Sequence, residues 1–286
     1  MNMFIIKGLV PGEVGRVRAD PLRAAWLWGM AVPGLAAGLP ALTPGNLVLS
    51  LALVFATLCL GHSVGLHRGI IHRSYEAPPL LRGFLAWLFV LSGLGGPLSW
   101  ARLHAVRDYW QNRADCPRYF AYDHRLGTDF AWNLHCRFEA ADDRAESRLP
   151  ADVLGDPWLR LHEATWPLHV LALAGAVFAA FGPGAVAVAV CARTAAGIVG
   201  HWFVGYAAHA WGERPHVVVG AKECGRNLRI LGVLSFGEGF HNNHHAFPTS
   251  ARMGLEPGQV DLGWAAVRGL RRAGLVRSVV EAGMHH

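Results

Sequence analysis

The chain has 286 residues, 52% of them hydrophobic and only 16% charged, with a mean hydropathy of +0.26. That balance excludes an ordinary cytosolic globule and a disordered chain, and the 11 tryptophans suit a membrane–water interface. A net charge of +6 would suit nucleic acid in a soluble protein, but here the basic residues flank apolar runs, so nucleic acid is set aside as a partner.

Residues 1–23 carry Lys7, Arg16, Arg18 and Arg23 ahead of the first apolar run and are expected on the cytosolic side, facing inward in a bacterial inner membrane. From 24 to 66 there is no Lys, Arg, Asp or Glu, and Pro40, Thr43, Pro44 and Gly45 break the run. This pattern predicts a first helical hairpin that returns to the cytosol at His67 and Arg68; its first limb is longer than a signal-peptide core and is retained. The apolar stretch 83–101 is cut short by Gly95-Gly96-Pro97, which favours a re-entrant or surface-lying helix over a fifth crossing. Residues 67–164 thus form the first part of a cytosolic, interfacial cap, in which Asp142, Asp143, Arg144, Glu146 and Arg148 read as a solvated loop. A second hairpin is expected over 165–206, turning at Phe181-Gly182-Pro183-Gly184. Arg193 falls in its second limb and is read as a late start of that span, snorkelling toward one surface; the competing reading has it facing the bundle to meet an acid. Residues 207–286 complete the cap. Within them Trp264, Val267 and Leu270 alternate with Arg268, Arg271 and Arg272, as on a basic helix resting on an anionic leaflet. The fold expected is one all-α integral membrane domain: four transmembrane helices in two hairpins, with a histidine-rich helical cap. Five scattered cysteines without a CxxC pair argue against a disulfide frame.

The chemistry lies in the histidines. In His241-Asn242-Asn243-His244-His245 the imidazoles stand at i, i+3 and i+4, one face of a helix, and convergent neutral imidazoles make a metal site. His67 and His72 form an HxxxxH; five residues rotate about 140° on an ideal helix, so the pair either flanks two metals or the helix unwinds between them. His201 and His209 lie on the last span with Gly205 between them, His209 near the cytosolic surface and His201 deeper, as a core residue or a donor behind a ligand. Glu238, just ahead of the last histidines, is suited to orienting an imidazole.

Three stretches resemble the integral-membrane fatty-acid desaturases, particularly the acyl-CoA delta-9 type and its bacterial relatives. They are Gly65-Leu66-His67-Arg68-Gly69-Ile70-Ile71-His72-Arg73, then Ala207-Ala208-His209 with Gly212 and Arg214-Pro215, then Gly237-Glu238-Gly239-Phe240-His241-Asn242-Asn243-His244-His245-Ala246-Phe247-Pro248. The resemblance implies four transmembrane helices under a cytosolic cap, and histidine boxes that hold two non-haem iron ions. It further implies O2-dependent removal of hydrogen from a long acyl chain to give a cis double bond. By the same resemblance the metal ligands are His67, His72, His104, His209, His241, His244 and His245. The middle box departs from the family's HxxHH: after Trp100-Ala101-Arg102 come His104, Arg107 and Asp108. Arginine cannot ligate, whereas a carboxylate can, which makes Asp108 an eighth ligand candidate and His124 and His135 substitute candidates. Gly205 stands where the delta-9 type has asparagine. The implied partners are an acyl chain on coenzyme A, carrier protein or phospholipid, membrane lipid, and a separate ferredoxin-like or cytochrome-like electron donor. Hydroxylation on the same scaffold and a degenerate, non-catalytic metal-binding protein are the rival readings.

Overall fold

The computed structural model describes residues 15–141 and 149–282. The N-terminal residue Lys7 and the charged run 142–148 lie outside the described residues. The described chain is mostly helical. In order it runs β1 (Gly15–Ala19), α1 (Pro21–Ala36), α2 (Pro44–Val54) continuing into a π-helical stretch Phe55–Ile71, α3 (Pro79–Val90), α4 (Pro97–Gln111), α5 (Leu126–His135) and β2 (Cys136–Ala140). There follow α6 (Ala151–Gly155), α7 (Pro157–Ala185), a second π-helical stretch Val186–Ala192, α8 (Arg193–Ala210), α9 (Arg229–Leu234), α10 (His241–Ala246) and α11 (Leu262–Arg272).

Local chemistry sets the starts. Helices α1, α2, α3, α4 and α7 open with proline in the first turn, where its missing N–H costs nothing. Thr43 caps α2 by accepting from Asn46 N at 3.2 Å, and Asp156 caps α7 by accepting from Trp158 N at 2.9 Å and Leu159 N at 3.2 Å. Two stretches, Pro44–Ile71 and Pro157–Ala210, are long and apolar enough to cross a membrane. The second bends at Gly182, whose φ of 81° favours glycine, so that it is two limbs joined at the expected turn. Helix α1 packs against Val186–Ala192 and α8, and α2 against Val186–Ala192, so the four limbs lie together.

Helix α3 has 12 residues, about 18 Å, too short for a hydrocarbon core of about 30 Å. One face of it packs into the protein while Leu80 and Phe84 stay exposed. Leu85, Ala86, Phe89 and Val90 are buried, and Gly61 of the π stretch lets α3 approach so closely that a Cβ there would sit 2.3 Å from Phe89 N.

Three expectations need correction. The fold is not wholly helical: β1 and β2 form an antiparallel ribbon pairing Arg16 with Glu139 and Val17 with Phe138. Arg193 does not snorkel. It is 3% exposed, and its guanidinium donates to Ala189 O at 2.8 Å, Thr57 Oγ1 at 3.1 Å and Leu91 O at 2.9 Å, tying three elements together through neutral acceptors inside the bundle. The apolar side of the basic C-terminal helix is turned to the protein: α11 spans 11 residues, is capped by Asp261 and buries Trp264 and Val267 in a core with Val64 and Leu85.

Candidate metal centre

Seven histidines meet in two adjoining groups. His67, His72, His104 and His244 form one, His209, His241 and His245 the other, and within each the nearest nitrogens all lie within 4.8 Å of one another. The ring centroids of His244 and His245 are 6.1 Å apart, so the groups share α10 as a common wall.

The HxxxxH is resolved by the backbone. His72 N donates to His67 O at 3.0 Å, an i→i+5 bond, and this π-helical winding returns the two residues to one face. Their Nε2 atoms are 3.2 Å apart, and His104 Nε2 from α4 is 3.0 Å from that of His67.

The outward nitrogens show what the inward ones are for. Glu238 Oε2 lies 2.6 Å from His67 Nδ1, Asp108 Oδ2 lies 3.2 Å from His104 Nδ1, and His209 Nδ1 donates to Gly205 O at 2.8 Å. The carboxylates beside His67 and His104 are close by distance without a formed hydrogen bond, and together with the His209 bond they suit the tautomer with the proton on Nδ1, in which the Nε2 lone pairs face inward; His209 Nε2 is buried without a protein partner. Facing lone pairs repel unless a cation lies between them. The donor set therefore fits metal ions, four imidazoles for one and three for a second. Burial and the neighbouring His104 push the His72 imidazole down to about 3. Burial likewise takes His245 to about 4 and holds His241 and His244 well below their usual range, so these four imidazoles are neutral at physiological pH, as ligands must be.

Asp108, expected as a ligand, is in neither group: its carboxylate stands behind His104. Burial raises its pKa, but the His104, His72 and His245 rings together outweigh burial and hold it at about 2, an anion throughout the working range. The substitute candidates are elsewhere. His124 Nε2 meets Asp129 Oδ2 at 2.6 Å, in a buried network that Trp202 Nε1 joins at 2.6 Å from Asp129 Oδ1, and His135 Nε2 accepts from Trp28 Nε1 at 3.0 Å. His201 packs edge-on to His62 at 4.8 Å, outside both groups.

Several supports have no signature in the sequence. Arg68 is fully buried between Glu238 at 3.0 Å and Asp261 at 3.1 Å, and so holds the carboxylate that faces His67. The two asparagines of the last box face away from the metal side. Asn242 donates to His216 O at 2.9 Å and Cys224 O at 2.8 Å, and Asn243 to Met253 O at 2.7 Å, while Asn227 Oδ1 accepts from the backbone N of Asn242 at 3.0 Å and Asn243 at 3.2 Å. Tyr122 stacks on His209 with ring centroids 4.1 Å apart, and its hydroxyl occupies the space beside Gly205, 3.6 Å from where a Cβ would be. A cavity of about 720 Å³ opens beside the first group, lined by His104, Trp100, His201 and further aromatic and basic residues.

The chain thus combines helical limbs long and apolar enough to cross a membrane with two buried, adjoining histidine groups whose donors could hold metal ions. The family model for fatty acid desaturases matches residues 44–257, and the chain belongs to that family. It is 31% identical over 234 residues to an sn-1 stearoyl-lipid 9-desaturase of Anabaena variabilis, covering 81% of this chain and 82% of that protein. An sn-2 palmitoyl-lipid 9-desaturase of Nostoc sp. is 28% identical over 230 residues, covering 78% of this chain and 77% of that one. A chloroplastic palmitoyl-monogalactosyldiacylglycerol delta-7 desaturase of Arabidopsis thaliana is 29% identical over 236 residues, of which this chain spans 61% of the length. All three relatives are named as desaturases of acyl lipids.

Proposed function

We propose that this protein is a membrane-bound, di-iron, O2-dependent desaturase that introduces a cis double bond into a long acyl chain. The observation that carries the reading is the pair of histidine groups, four and three nitrogens, with carboxylate or carbonyl acceptors behind the imidazoles. All-nitrogen ligation suits iron, and bound iron would supply the activation of dioxygen that an unactivated C–H bond requires. Dioxygen takes two electrons from the two C–H bonds broken and two from a separate donor protein, leaving as water.

This chain's own residues do the rest. Glu238, held by Arg68, and Asp108 fix the His67 and His104 rings so that their inward nitrogens stay free of protons. The four apolar limbs are read as crossing the bilayer. Leu35, Leu39, Val48 and Leu51 on the first hairpin and Leu168, Leu171, Phe178 and Phe181 on the second are more than half exposed, a belt that lipid would cover. The cap would then lie on the cytosolic side and admit the chain through the cavity beside His104.

Purified protein reconstituted with ferrous iron should hold about two irons per chain. Given dioxygen, a reduced ferredoxin and a labelled acyl lipid, it should return product lacking two hydrogen atoms. A product gaining one oxygen atom makes it a hydroxylase, and an iron-free protein with no product makes it a non-catalytic relative.

A further inference from the structure

The residue that replaces a family histidine in the middle box has a place of its own. Arg107 lies one turn beyond His104 on α4, and both line the 720 Å³ cavity. Its guanidinium makes one hydrogen bond to a neutral group, donating to Asn133 Oδ1 at 3.3 Å, and among the described residues no carboxylate lies within 4.0 Å of it. A half-buried cation with no carboxylate in contact is compensated only at longer range, here by Asp129 and Asp108, and in a cavity wall it can pair directly with an anionic ligand. Most of the remaining charges in the lining are also positive. Arg23, Arg102 and Arg137 also line the cavity, against the single carboxylate of Asp20. Arg23 and Arg137 have acidic neighbours, Asp20 at 4.0 Å and Glu139 at 3.1 Å; Arg102, like Arg107, has none among the described residues. The other walls are apolar and aromatic: Trp26, Trp100, Leu103, Phe120, Phe138 and Trp166. A cavity with cations at one side and indole and phenyl rings at the other fits an amphiphile with an anionic head.

We infer that Arg107 is the anchor for an anionic group, carboxylate or phosphate, on the acyl substrate, and that this cavity discriminates against acyl lipids with neutral heads. The inference rests on the acyl-lipid reading above. Guanidinium binds either anion through paired N–H donors, and Asp108 next along α4 is turned to His104, leaving the arginine free for the ligand.

The test is equilibrium binding of radiolabelled lipids to the purified full chain in neutral detergent, with no turnover needed. Two pairs matched in chain are compared: oleoyl lysophosphatidate against monooleoylglycerol, and oleate against oleyl alcohol. We expect the charged member of at least one pair to bind roughly 10- to 100-fold more tightly, the size of a charge-assisted hydrogen bond. The pair that shows it identifies phosphate or carboxylate as the group recognised. Arg107→Gln should remove the preference, Arg107→Lys should keep part of it, and Arg272→Gln on the exposed face of α11 should leave it intact. Equal affinity within both pairs for the wild-type protein overturns the inference whether or not any variant folds. So does a preference that survives Arg107→Gln, or one lost equally in Arg272→Gln, which would mark general surface attraction. Failure of the desaturase reading would appear instead as absent product with the binding preference intact.

Discussion

At the scale of single residues, the centre depends on what stands behind each imidazole. Arg68 connects to Glu238 across 170 positions of sequence and to Asp261 across 193, so one buried guanidinium joins the first box, the lead of the last box and the cap of α11. Glu238→Gln removes the charge facing His67 Nδ1 but leaves Arg68 paired with Asp261. Metal affinity should fall about 10- to 100-fold with the fold retained, read from metal content against a competing chelator. Asp108→Asn separates two roles. If the carboxylate only orients His104, the variant binds a full complement of metal at saturation with affinity lowered about tenfold. If it ligates, one ion is missing however much metal is added.

At the scale of elements, two contacts position the donors, and neither is a ligand. Gly61 is the point where α3 meets the π-helical stretch. In Gly61→Ala the new Cβ would press on the backbone at Leu88 and Phe89, which cannot yield as a side-chain tip could. We expect a loss of about 1–3 kcal/mol or more, seen as a lower midpoint of thermal unfolding in detergent. Asn227→Ala should be worse for the second metal group than for the first. It strips acceptors from two buried N–H groups at the start of α10 and a donor from Asn243 Oδ1, at about 1–3 kcal/mol each. His241 and His245 should then lose their ion before His67, His72 and His104 lose theirs, a change that metal titration would show as one weak and one strong site.

The same elements show what a linear reading could reach. The trio in α10 was legible only in part: helical spacing puts i, i+3 and i+4 on one side, but His244 joins the first group while His241 and His245 serve the second, so the three do not converge on one ion. The break before α2 and the bend at Gly182 were legible from Pro40, Pro44 and Gly182. For His67 and His72 the sequence leaves two readings, a pair flanking two metals or a helix that unwinds between them, and the π-helical winding decides for a local unwinding that brings both to one group; nothing in Arg68-Gly69-Ile70-Ile71 announces the i→i+5 bond. Arg193 was misplaced for another reason. Its acceptors are a hydroxyl on the first hairpin and a carbonyl after α3, contacts that hydropathy along its own span does not reveal. The β1–β2 ribbon escaped because each strand has five residues and its partner lies beyond α5.

At the scale of the whole molecule, a buried polyhistidine centre ties stability to acidity, and the sign follows from the direction of the shifts. In the folded protein His72 titrates near 3 and His245 near 4, against 6.5 when exposed. Both states are neutral above 6.5, so there the folded protein suffers no penalty. As pH falls through 6.5 the unfolded chain takes up protons that the fold refuses, and stability drops by up to about 1.4 kcal/mol per pH unit for each such group until the folded values are reached. Asp108 acts lower down and in the same direction. Its carboxyl is held at about 2 against 3.8, so the stability it contributes is present above 3.8 and is lost as pH falls toward 2. The metal-free protein should therefore show a thermal midpoint that is flat from pH 8 to 6.5 and falls steeply below it, with roughly 2–3 kcal/mol gone by pH 5.5 from these two histidines. Bound metal should raise the plateau and steepen the acid limb, because protons then compete with the ions for the same nitrogens. A midpoint that stays level from pH 8 to 5 without metal would mean that these imidazoles protonate freely, and the buried neutral donor set would be wrong.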